Sequence, residues 1–334
     1  MNYSPEEIYK SSEEYTNINE KILGQVKYIK ELKEEIRKKV IGQDDMINKI
    51  LIGIFTGNHI LLEGFPGLAK SLTVNTIART LGLKFARIQF TPDLLPSDII
   101  GTEIYNEKNG EFYTKKGPIF GNIILADEIN RAPAKVQSAL LEAMQEKQIT
   151  IANETFRLDR PFIVLATQNP IEQDGTYPLP EAQQDRFLMK VKIEYPTKEE
   201  EKKILGLLTS TVKYDDIELK EVLNKEKIHE IENIIKEIYI DDKLMDYIVD
   251  IVFKTREKNN HILCGSSPRA SIAITLASKG NAFLEGRDFV TPKDIKKIIF
   301  DVLRHRIIPT YEAEADGLSV EDIIVDILEK VKLP

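Results

Sequence analysis

A glycine-containing loop between an apolar run and a helical pattern is the first segment with residues suited to chemistry. The apolar run covers residues 59–63 (HILLE), the loop covers residues 64–71 (GFPGLAKS), and a helical pattern follows. Main-chain N–H groups in such a loop can cradle phosphates at the N-terminus of a helix. In this arrangement Lys70 reaches the β and γ phosphates of a nucleotide, and the Ser71 hydroxyl binds Mg²⁺.

The loop departs from the usual phosphate-binding pattern at one position, because Ala69 stands where a glycine normally precedes the lysine. With that requirement relaxed, the pattern arises by chance in many chains, so the loop alone does not decide the function. We expect a nucleotide to contact the whole loop and the first helical turn. The residues predicted to bind it are Gly64, Pro66, Gly67, Leu68, Ala69, Lys70, Ser71 and Leu72.

Two carboxylates follow the apolar run at residues 122–127 (NIILAD). Asp127, at the carboxyl end of a strand near a phosphate loop, is suited to bind Mg²⁺. The adjacent Glu128 can polarise an attacking water as a general base. Together the loop and the carboxylates predict hydrolysis of a nucleoside triphosphate. Ras-type GTPases read guanine with Asn-Lys-x-Asp, and neither Asn-Lys pair (residues 48–49 and 224–225) has that Asp, so ATP is favoured.

Short apolar runs alternate with helical patterns between residues 39 and 196. Runs of this length, apolar on both faces, are typical of parallel strands covered by helices on each side. One helical pattern, residues 134–146, places Val136, Leu140 and Met144 on one face. We therefore predict a three-layer α/β domain with a parallel sheet. The predicted strands are residues 59–63, 85–89, 122–127, 162–167 and 187–193.

Two segments interrupt this alternation and resemble β-hairpins. Residues 103–113 (EIYNEKNGEFY) place Asn109-Gly110 between extended stretches, which is a common hairpin turn. Residues 148–158 (QITIANETFRL) show the same pattern around Asn153-Glu154. Both are predicted to be small insertions in the α/β domain.

The segments on either side of the α/β domain are predicted to be helical. Residues 1–38 carry apolar residues in steps of three and four from Ile22 to Ile36, which indicates one helix face. Beyond Pro196 the patterns are amphipathic, and Ser267-Pro268 and Thr291-Pro292 are typical helix starts. The chain is therefore divided into an N-terminal helical segment (1–38), an α/β core (39–196) and an all-helical domain (197–334).

Composition excludes several other classes of protein. The 334 residues include 46 basic and 54 acidic side chains, one cysteine and four histidines. One cysteine excludes an intrachain disulfide and a cysteine-clustered metal site, and the histidines lack ligand spacing. No apolar run is long enough to span a membrane and the N-terminus lacks a signal peptide's pattern, so a cytoplasmic location is expected. The net charge of −8 makes nucleic acid an unlikely partner.

Six strings occur in order along the chain: residues 40–43 (VIGQ), 64–71, 127–133 (DEINRAP) with 135–137 (KVQ), 166–170 (ATQNP), 179–183 (LPEAQ) with 185–187 (DRF), and 267–270 (SPRA). With these strings the chain resembles the AAA+ ATPases and, within them, the MoxR-type group, from about residue 40 to residue 310. In MoxR-type proteins an alanine commonly precedes the loop lysine, which agrees with Ala69. The resemblance implies a three-layer P-loop core with a five-stranded parallel sheet and small inserted hairpins, followed by a helical lid.

The resemblance also implies roles for residues outside the loop. Asn169 corresponds to sensor 1, an amide that orients the attacking water, and Arg269 corresponds to sensor 2, which reports the γ-phosphate to the lid. Arg186 resembles the arginine finger that acts on the neighbouring subunit's nucleotide. Arg131 is a second candidate for that role, and the sequence does not rank the two.

Two further implications concern the base of the nucleotide and the hairpins. Ile41 and Gly42 match the segment that flanks adenine in AAA+ proteins. The hairpins match insertions, here residues 92–119 and 148–158, that in this branch face the central pore or one surface of a ring and move during the ATP cycle.

The resemblance implies a Mg²⁺-dependent ATPase that assembles as a homo-oligomeric ring, most often a hexamer, and remodels or matures protein clients. A partner with a von Willebrand factor A domain is a further expectation. Three alternatives stay open at this point. They are the ATPase subunit of a magnesium or cobalt chelatase, a nucleic-acid-remodelling motor, and a nucleotide-gated scaffold with little turnover.

Overall fold

The computed structural model of the chain describes residues 5–108, 110–170, 177–209 and 216–334. The chain divides into two compact units, residues 34–225 and residues 1–33 with 226–334. In chain order the helices and strands are α1 (Pro5–Arg37), α2 (Asp44–Phe55), β1 (Ile60–Glu63), α3 (Lys70–Thr80), β2 (Phe85–Gln89), α4 (Pro96–Ile100), β3 (Gly101–Asn106), β4 (Glu111–Lys116), β5 (Ile123–Asp127), α5 (Ala134–Glu146), β6 (Gln148–Ile151), β7 (Glu154–Arg157), β8 (Ile163–Gln168), α6 (Glu181–Gln184), β9 (Met189–Lys192), α7 (Lys198–Leu208), α8 (Lys225–Glu237), α9 (Asp242–Lys254), β10 (Ile262–Cys264), α10 (Pro268–Leu284), α11 (Pro292–Leu303), β11 (Ile308–Pro309), α12 (Tyr311–Ala315) and α13 (Val320–Lys330).

The first unit is built around a five-stranded sheet with the order β2-β5-β8-β1-β9, in which every pairing is parallel. Each predicted strand is present within two residues of its predicted ends. The apolar runs form central strands because both of their faces are covered, and Leu61, Ile124 and Leu165 are fully buried. The prediction of a parallel α/β core is therefore confirmed.

Helices cover the sheet on both faces. Val136, Leu140 and Met144 of α5 belong to one buried cluster with Ile124 and other inward-facing strand residues, as their helical spacing predicts. Because side chains alternate along a strand, the neighbouring residues point to the opposite face, where α2 contacts β9 and α3 contacts β2 and β5. This packing fixes the carboxyl ends of the strands, from which the candidate site is built.

Both predicted hairpins form. Strands β3 and β4 pair antiparallel from Gly101 with Lys116 to Asn106 with Glu111, and Asn109 of the predicted turn lies outside the described residues. Strands β6 and β7 pair antiparallel as well. The second turn is shifted by one residue from the prediction: Ala152 and Asn153 form it, Ala152 has φ +49°, and Glu154 already pairs with Ile151.

The second unit consists mainly of helices. Ser267 and Thr291 are the N-cap residues of α10 and α11, and proline occupies the first turn of both, as predicted. The expectation of an all-helical domain is corrected in one detail, because β10 and β11 form a two-stranded antiparallel ladder. This short pairing satisfies main-chain groups between α9 and α10 and after α11.

The two compact units divide the chain at positions that the sequence pattern did not predict, namely within α1 and at the start of α8. Within α1 the Gln25 amide donates to Glu230 and the Lys21 ammonium lies 3.4 Å from Glu237, so this part of the helix belongs with α8. The N–H of Lys220 donates to Glu35, which ties the segment before α8 to the α/β unit. The boundaries at residues 38 and 196 stay a prediction.

In the described part of the chain, every helix is too short or too polar to cross a lipid bilayer.

Candidate functional site

The predicted phosphate loop joins β1 to α3 at the carboxyl edge of the sheet. Residues 64–69 form the turn, Lys70 begins the helix, and the Lys70 ammonium donates to the Gly64 carbonyl at 2.5 Å. Pro66 and Gly67 are exposed, whereas Leu68 is buried and anchors the loop. Ser71 and Leu72 lie half-buried in the first turn of α3. The loop therefore presents main-chain groups and one cation at a helix N-terminus.

Two residues of the loop have left-handed backbone conformations. Gly67 has φ +85°, and a Cβ at this position would meet no heavy atom within 4 Å, so its glycine is required by the backbone and not by crowding. Ala69, the N-cap of α3, has φ +55° and ψ +23°. A non-glycine residue in this conformation costs about 1–2 kcal/mol, which explains why glycine is usual at this position. Ala69 adopts the same conformation with some strain.

Asp127 ends β5 with its carboxylate held from two sides. The Thr167 hydroxyl donates to Oδ1 at 2.6 Å, and the Arg87 guanidinium donates to Oδ2 through Nε at 3.1 Å and Nη2 at 2.5 Å. The Asp127 side chain is only 12% exposed, so these bonds fix its position. Arg87 belongs to β2, the strand next to β5 in the sheet.

Glu128 lies in a strained backbone conformation directly after β5. It has φ +57° and ψ +50°, and its N–H donates to the Thr167 hydroxyl at 2.8 Å. Its carboxylate accepts from the Gln89 amide at 2.9 Å and from the Arg131 guanidinium at 3.0 Å. Left-handed conformations of non-glycine residues cluster at functional sites, where the surrounding structure enforces them.

Thr167 connects the two carboxylate residues and was not predicted from the sequence. Its hydroxyl donates to the Asp127 side chain and accepts from the Glu128 main chain, so one side chain sets the position of both. Arg87 and Gln89 were missed as well. The signal that would have found all three is their place near the carboxyl ends of β2 and β8, the strands on either side of β5.

The other predicted site residues lie in four places. Asn169 is buried directly after β8, next to the strand that carries Asp127. Arg186 follows α6, and its guanidinium donates to the Leu141 carbonyl of the same chain at 2.9 Å. Arg131 contacts Glu128 as described above. Arg269 is exposed in the first turn of α10, in the second compact unit.

The predicted adenine segment lies before α2. Ile41 and Gly42 are half-buried, and Gly42 has φ +74°. A Cβ at Gly42 would lie 2.8 Å from Cδ of Glu200, so both conformation and space require glycine there. Gln43 donates through its amide to the Glu194 carbonyl at 3.4 Å. The segment is thus held against the chain that follows β9.

The residues present fit a Mg²⁺ ion bound together with phosphates. Mg²⁺ prefers oxygen ligands and is commonly held by one or two carboxylates plus substrate phosphates. The Asp127 carboxylate and the Ser71 hydroxyl supply such oxygens. Among the described residues, no cluster of three or more histidine, cysteine, aspartate or glutamate side chains forms an all-protein metal site. Most of the ligands for such an ion therefore have to come from nucleotide and water.

Comparison with known proteins gives the family. Residues 59–189 match the "ATPase family associated with various cellular activities (AAA)", and residues 255–327 match the "AAA lid domain". The chain is 46% identical to "Chaperone MoxR1" of Mycobacterium tuberculosis over 308 residues, which is 90% of this chain and 81% of that protein. It is 30% identical to "Protein MoxR" of Methylorubrum extorquens over 325 residues, covering 90% of this chain and 93% of the relative.

A solved structure agrees with these matches. The crystal structure of a protein from Cytophaga hutchinsonii, classed provisionally as an ATPase, is 52% identical and superposes with a TM-score of 0.88, covering 98% of this chain and 99% of that one. That protein therefore shares the fold as well as the sequence along nearly the whole chain. The fold, the phosphate loop and these matches lead to one conclusion: the chain belongs to the MoxR-type group of AAA+ ATPases.

Proposed function

We propose that this ATPase hydrolyses Mg²⁺-bound ATP at the subunit interfaces of a homo-oligomeric ring and uses the cycle to remodel or mature protein clients. The observation that carries the proposal is the carboxylate pair after β5. Asp127 and Glu128 have separate side-chain partners and share a contact with Thr167, which supports different roles for the two carboxylates.

In this proposal each side chain has one role. Lys70 neutralises phosphate charge, and Asp127 and Ser71 would hold Mg²⁺, which would supply positive charge against the transferred phosphoryl group. Glu128 accepts the proton of the attacking water, and its carboxylate is positioned by the bond that it accepts from the Gln89 amide. Asn169 orients the water.

A ring is proposed because Arg186 resembles an arginine that acts across a subunit interface. Arg186 acts on the nucleotide of the neighbouring subunit, where an arginine supplied in trans accelerates phosphoryl transfer by about 10³-fold or more. The Arg131–Glu128 contact within one chain supports Arg131 as a partner of the general base. Arg269 reports the γ-phosphate to the lid. A hexamer is the proposed assembly.

Protein clients are supported by the β3–β4 hairpin. Tyr105 and Phe112 pair across its strands, 5.1 Å between ring centroids, and are 52% and 67% exposed. An exposed aromatic pair suits contact with protein chains. The name of the M. tuberculosis relative, a chaperone, agrees with such clients. We extend the proposal to a partner with a von Willebrand factor A domain, to a cytoplasmic location, and to the domain boundaries at residues 38 and 196.

Mixing of two inactive variants tests the proposal. Lys70→Ala should abolish tight ATP binding, whereas Glu128→Gln should bind ATP and lose turnover by at least about 100-fold. Arg186→Ala subunits mixed with Glu128→Gln subunits should recover part of the activity, because some interfaces combine an intact Glu128 with an intact Arg186. Arg186→Lys serves as the matched control for charge alone. Normal turnover by Glu128→Gln, or no recovery at any mixing ratio, would contradict the proposed interface.

A further inference from the structure

The stacked pair of Phe65 and Tyr195 lies beside the phosphate loop and has no role in the mechanism above. Their ring centroids are 5.4 Å apart and the planes are inclined by only 23°. Phe65 is the second residue of the loop, and Tyr195 follows β9 with 65% of its surface exposed. The pair therefore combines a stacked geometry with a large exposed area, so part of the Tyr195 ring is accessible to a further planar group.

The order of the strands shows on which side of the loop this pair lies. The loop follows β1, and the carboxylates that meet the γ-phosphate follow β5, which is two strands away on the side of β8. Strand β9 flanks β1 on the opposite side, and the N–H of Ile193 extends that pairing by donating to the Glu63 carbonyl at 2.8 Å. A nucleotide with its γ-phosphate toward β5 therefore extends its nucleoside toward the end of β9.

The segment that carries Tyr195 is fixed from both ends. On one side the Gln43 amide donates to the Glu194 carbonyl. On the other, Glu200 accepts from the N–H and hydroxyl of Thr197 at 2.8 and 2.9 Å while its side chain lies against Gly42. The main chain on both sides of Tyr195 is thus held, and its ring rests on Phe65, so part of the ordering that a stacked planar group requires is already present.

We infer that the exposed face of Tyr195, backed by Phe65, is the platform on which the base of the nucleotide stacks. This makes Tyr195 a specificity-determining residue that selects nucleoside triphosphates over inorganic polyphosphates, which offer the same phosphates to the loop and no ring. The inference rests on the proposed placement of the phosphates at residues 64–71.

Kinetics of Tyr195 variants separate this role from a structural one. Because Tyr195→Ala removes the ring on which the base stacks, we expect it to raise the KM for ATP about tenfold and to leave kcat within about twofold of the wild type. Tyr195→Phe keeps the ring and should keep the wild-type KM. Inorganic tripolyphosphate, used as a competitive inhibitor, should have the same inhibition constant for all three proteins.

A fluorescence experiment gives a second readout, because the chain has no tryptophan. Tyr195→Trp introduces a single indole, whose emission should be quenched by ATP and left unchanged by tripolyphosphate. Tyr311→Trp, at a tyrosine that is 88% exposed, controls for absorption by the nucleotide.

Two results would overturn the inference while leaving the proposed function intact: an unchanged KM for ATP in Tyr195→Ala, or a parallel rise in KM and in the tripolyphosphate constant. The second result would mean that the ring acts only through Phe65 and the loop. Failure of the wild-type chain to bind ATP, in contrast, would overturn the proposed function together with this inference.

Discussion

At the amino edge of the parallel sheet, His59 is buried with both ring nitrogens hydrogen-bonded to main-chain groups, whereas at the carboxyl edge Glu128 has a partly exposed carboxylate bonded to two side chains. His59 accepts from the Val164 N–H through Nδ1 at 2.9 Å, so Nε2 carries the hydrogen and faces the Met144 carbonyl at 3.3 Å. The same strands therefore present a closed polar contact at one edge and an adjustable one at the other.

The difference teaches how to distinguish a structural polar group from a functional one. His59 is buried and neutral, and its partners are main-chain groups of β8 and α5, whose positions are set by the strand and the helix to which they belong. Glu128 has side-chain partners, Gln89 and Arg131, that can exchange it for water or substrate. Its strained backbone adds a cost that packing alone does not require. Substitutions at the two edges should accordingly affect different measurements.

The largest expected effect is on turnover at the carboxyl edge. Asp127→Asn keeps the shape of the side chain and can still accept from Thr167, but it removes the negative charge that pairs with Arg87 and that is proposed to hold Mg²⁺. We expect ATP turnover to fall at least about 100-fold, while the lost pairing with Arg87 lowers the free energy of unfolding by about 1–2 kcal/mol. Steady-state phosphate release and urea unfolding measure the two quantities. A large loss of stability would mean that the two edges do not differ as described.

The next effect is a pH dependence of stability at the amino edge. Burial lowers the pKa of His59 to about 4, while an unfolded histidine titrates near 6.5. Between these values the unfolded chain binds a proton that the folded chain does not, so stability is full above pH 6.5 and falls as the pH decreases toward 4.

At pH 5 this loss relative to pH 7 amounts to about 2 kcal/mol. His59→Asn retains an acceptor for Val164 and does not titrate. The difference in free energy of unfolding between the wild type and this variant should therefore be about 2 kcal/mol smaller at pH 5 than at pH 7. Urea unfolding at both pH values measures it. The same difference in free energy of unfolding at pH 7 and pH 5 would show that His59 is not the titrating group.

A smaller effect is expected where one side chain serves both carboxylates. Thr167→Val removes the bond to Asp127 and leaves the Glu128 N–H without its acceptor. We expect kcat to fall about tenfold with little change in the affinity for ATP, and stability to fall by about 1–2 kcal/mol. Thr167→Ser restores the hydroxyl and should restore both. If Thr167→Ser remained as slow as Thr167→Val, the hydroxyl would not be the positioning group.

The smallest effect concerns the strain in the phosphate loop. Ala69→Gly removes the cost of the left-handed conformation and adds chain entropy to the unfolded state, so the net gain in stability should be about 0.5 kcal/mol with ATP affinity retained. Ala69→Val, with a branched Cβ at φ +55°, should lose both stability and affinity. Thermal unfolding with and without ATP compares the three chains.

Much of the fold and part of the site could be predicted from the sequence. The five strands and α5 follow from local runs whose pattern is fixed by burial on two faces, and the loop with Lys70 and Ser71 follows from spacing alone. Arg87, Gln89 and Thr167 could not be found in this way. They reach Asp127 and Glu128 from β2 and β8, so their roles depend on the order of the strands, which no short stretch of sequence encodes.

Two other details escaped prediction for related reasons. The turn between β6 and β7 is set by the register of the two strands, and the pairing of Ile151 with Glu154 leaves Ala152 and Asn153 in the turn. The assignment of α1 to both compact units depends on contacts with residues about 200 positions away, such as those of Gln25 and Glu35. Helical periodicity predicts the buried face of α1 but not what covers it.

The order of the strands also has a consequence during synthesis of the chain. Strand β1 lies between β8 and β9, so one of its hydrogen-bonding edges can pair only after β8 has been made, and the other only after Lys192 has left the ribosome. At a typical rate of about 5–20 residues per second, the roughly 130 residues that follow β1 take about 6–26 s to appear. Until then the edge of β1 that faces β9 has no partner strand, and α2 lacks its contacts with β9.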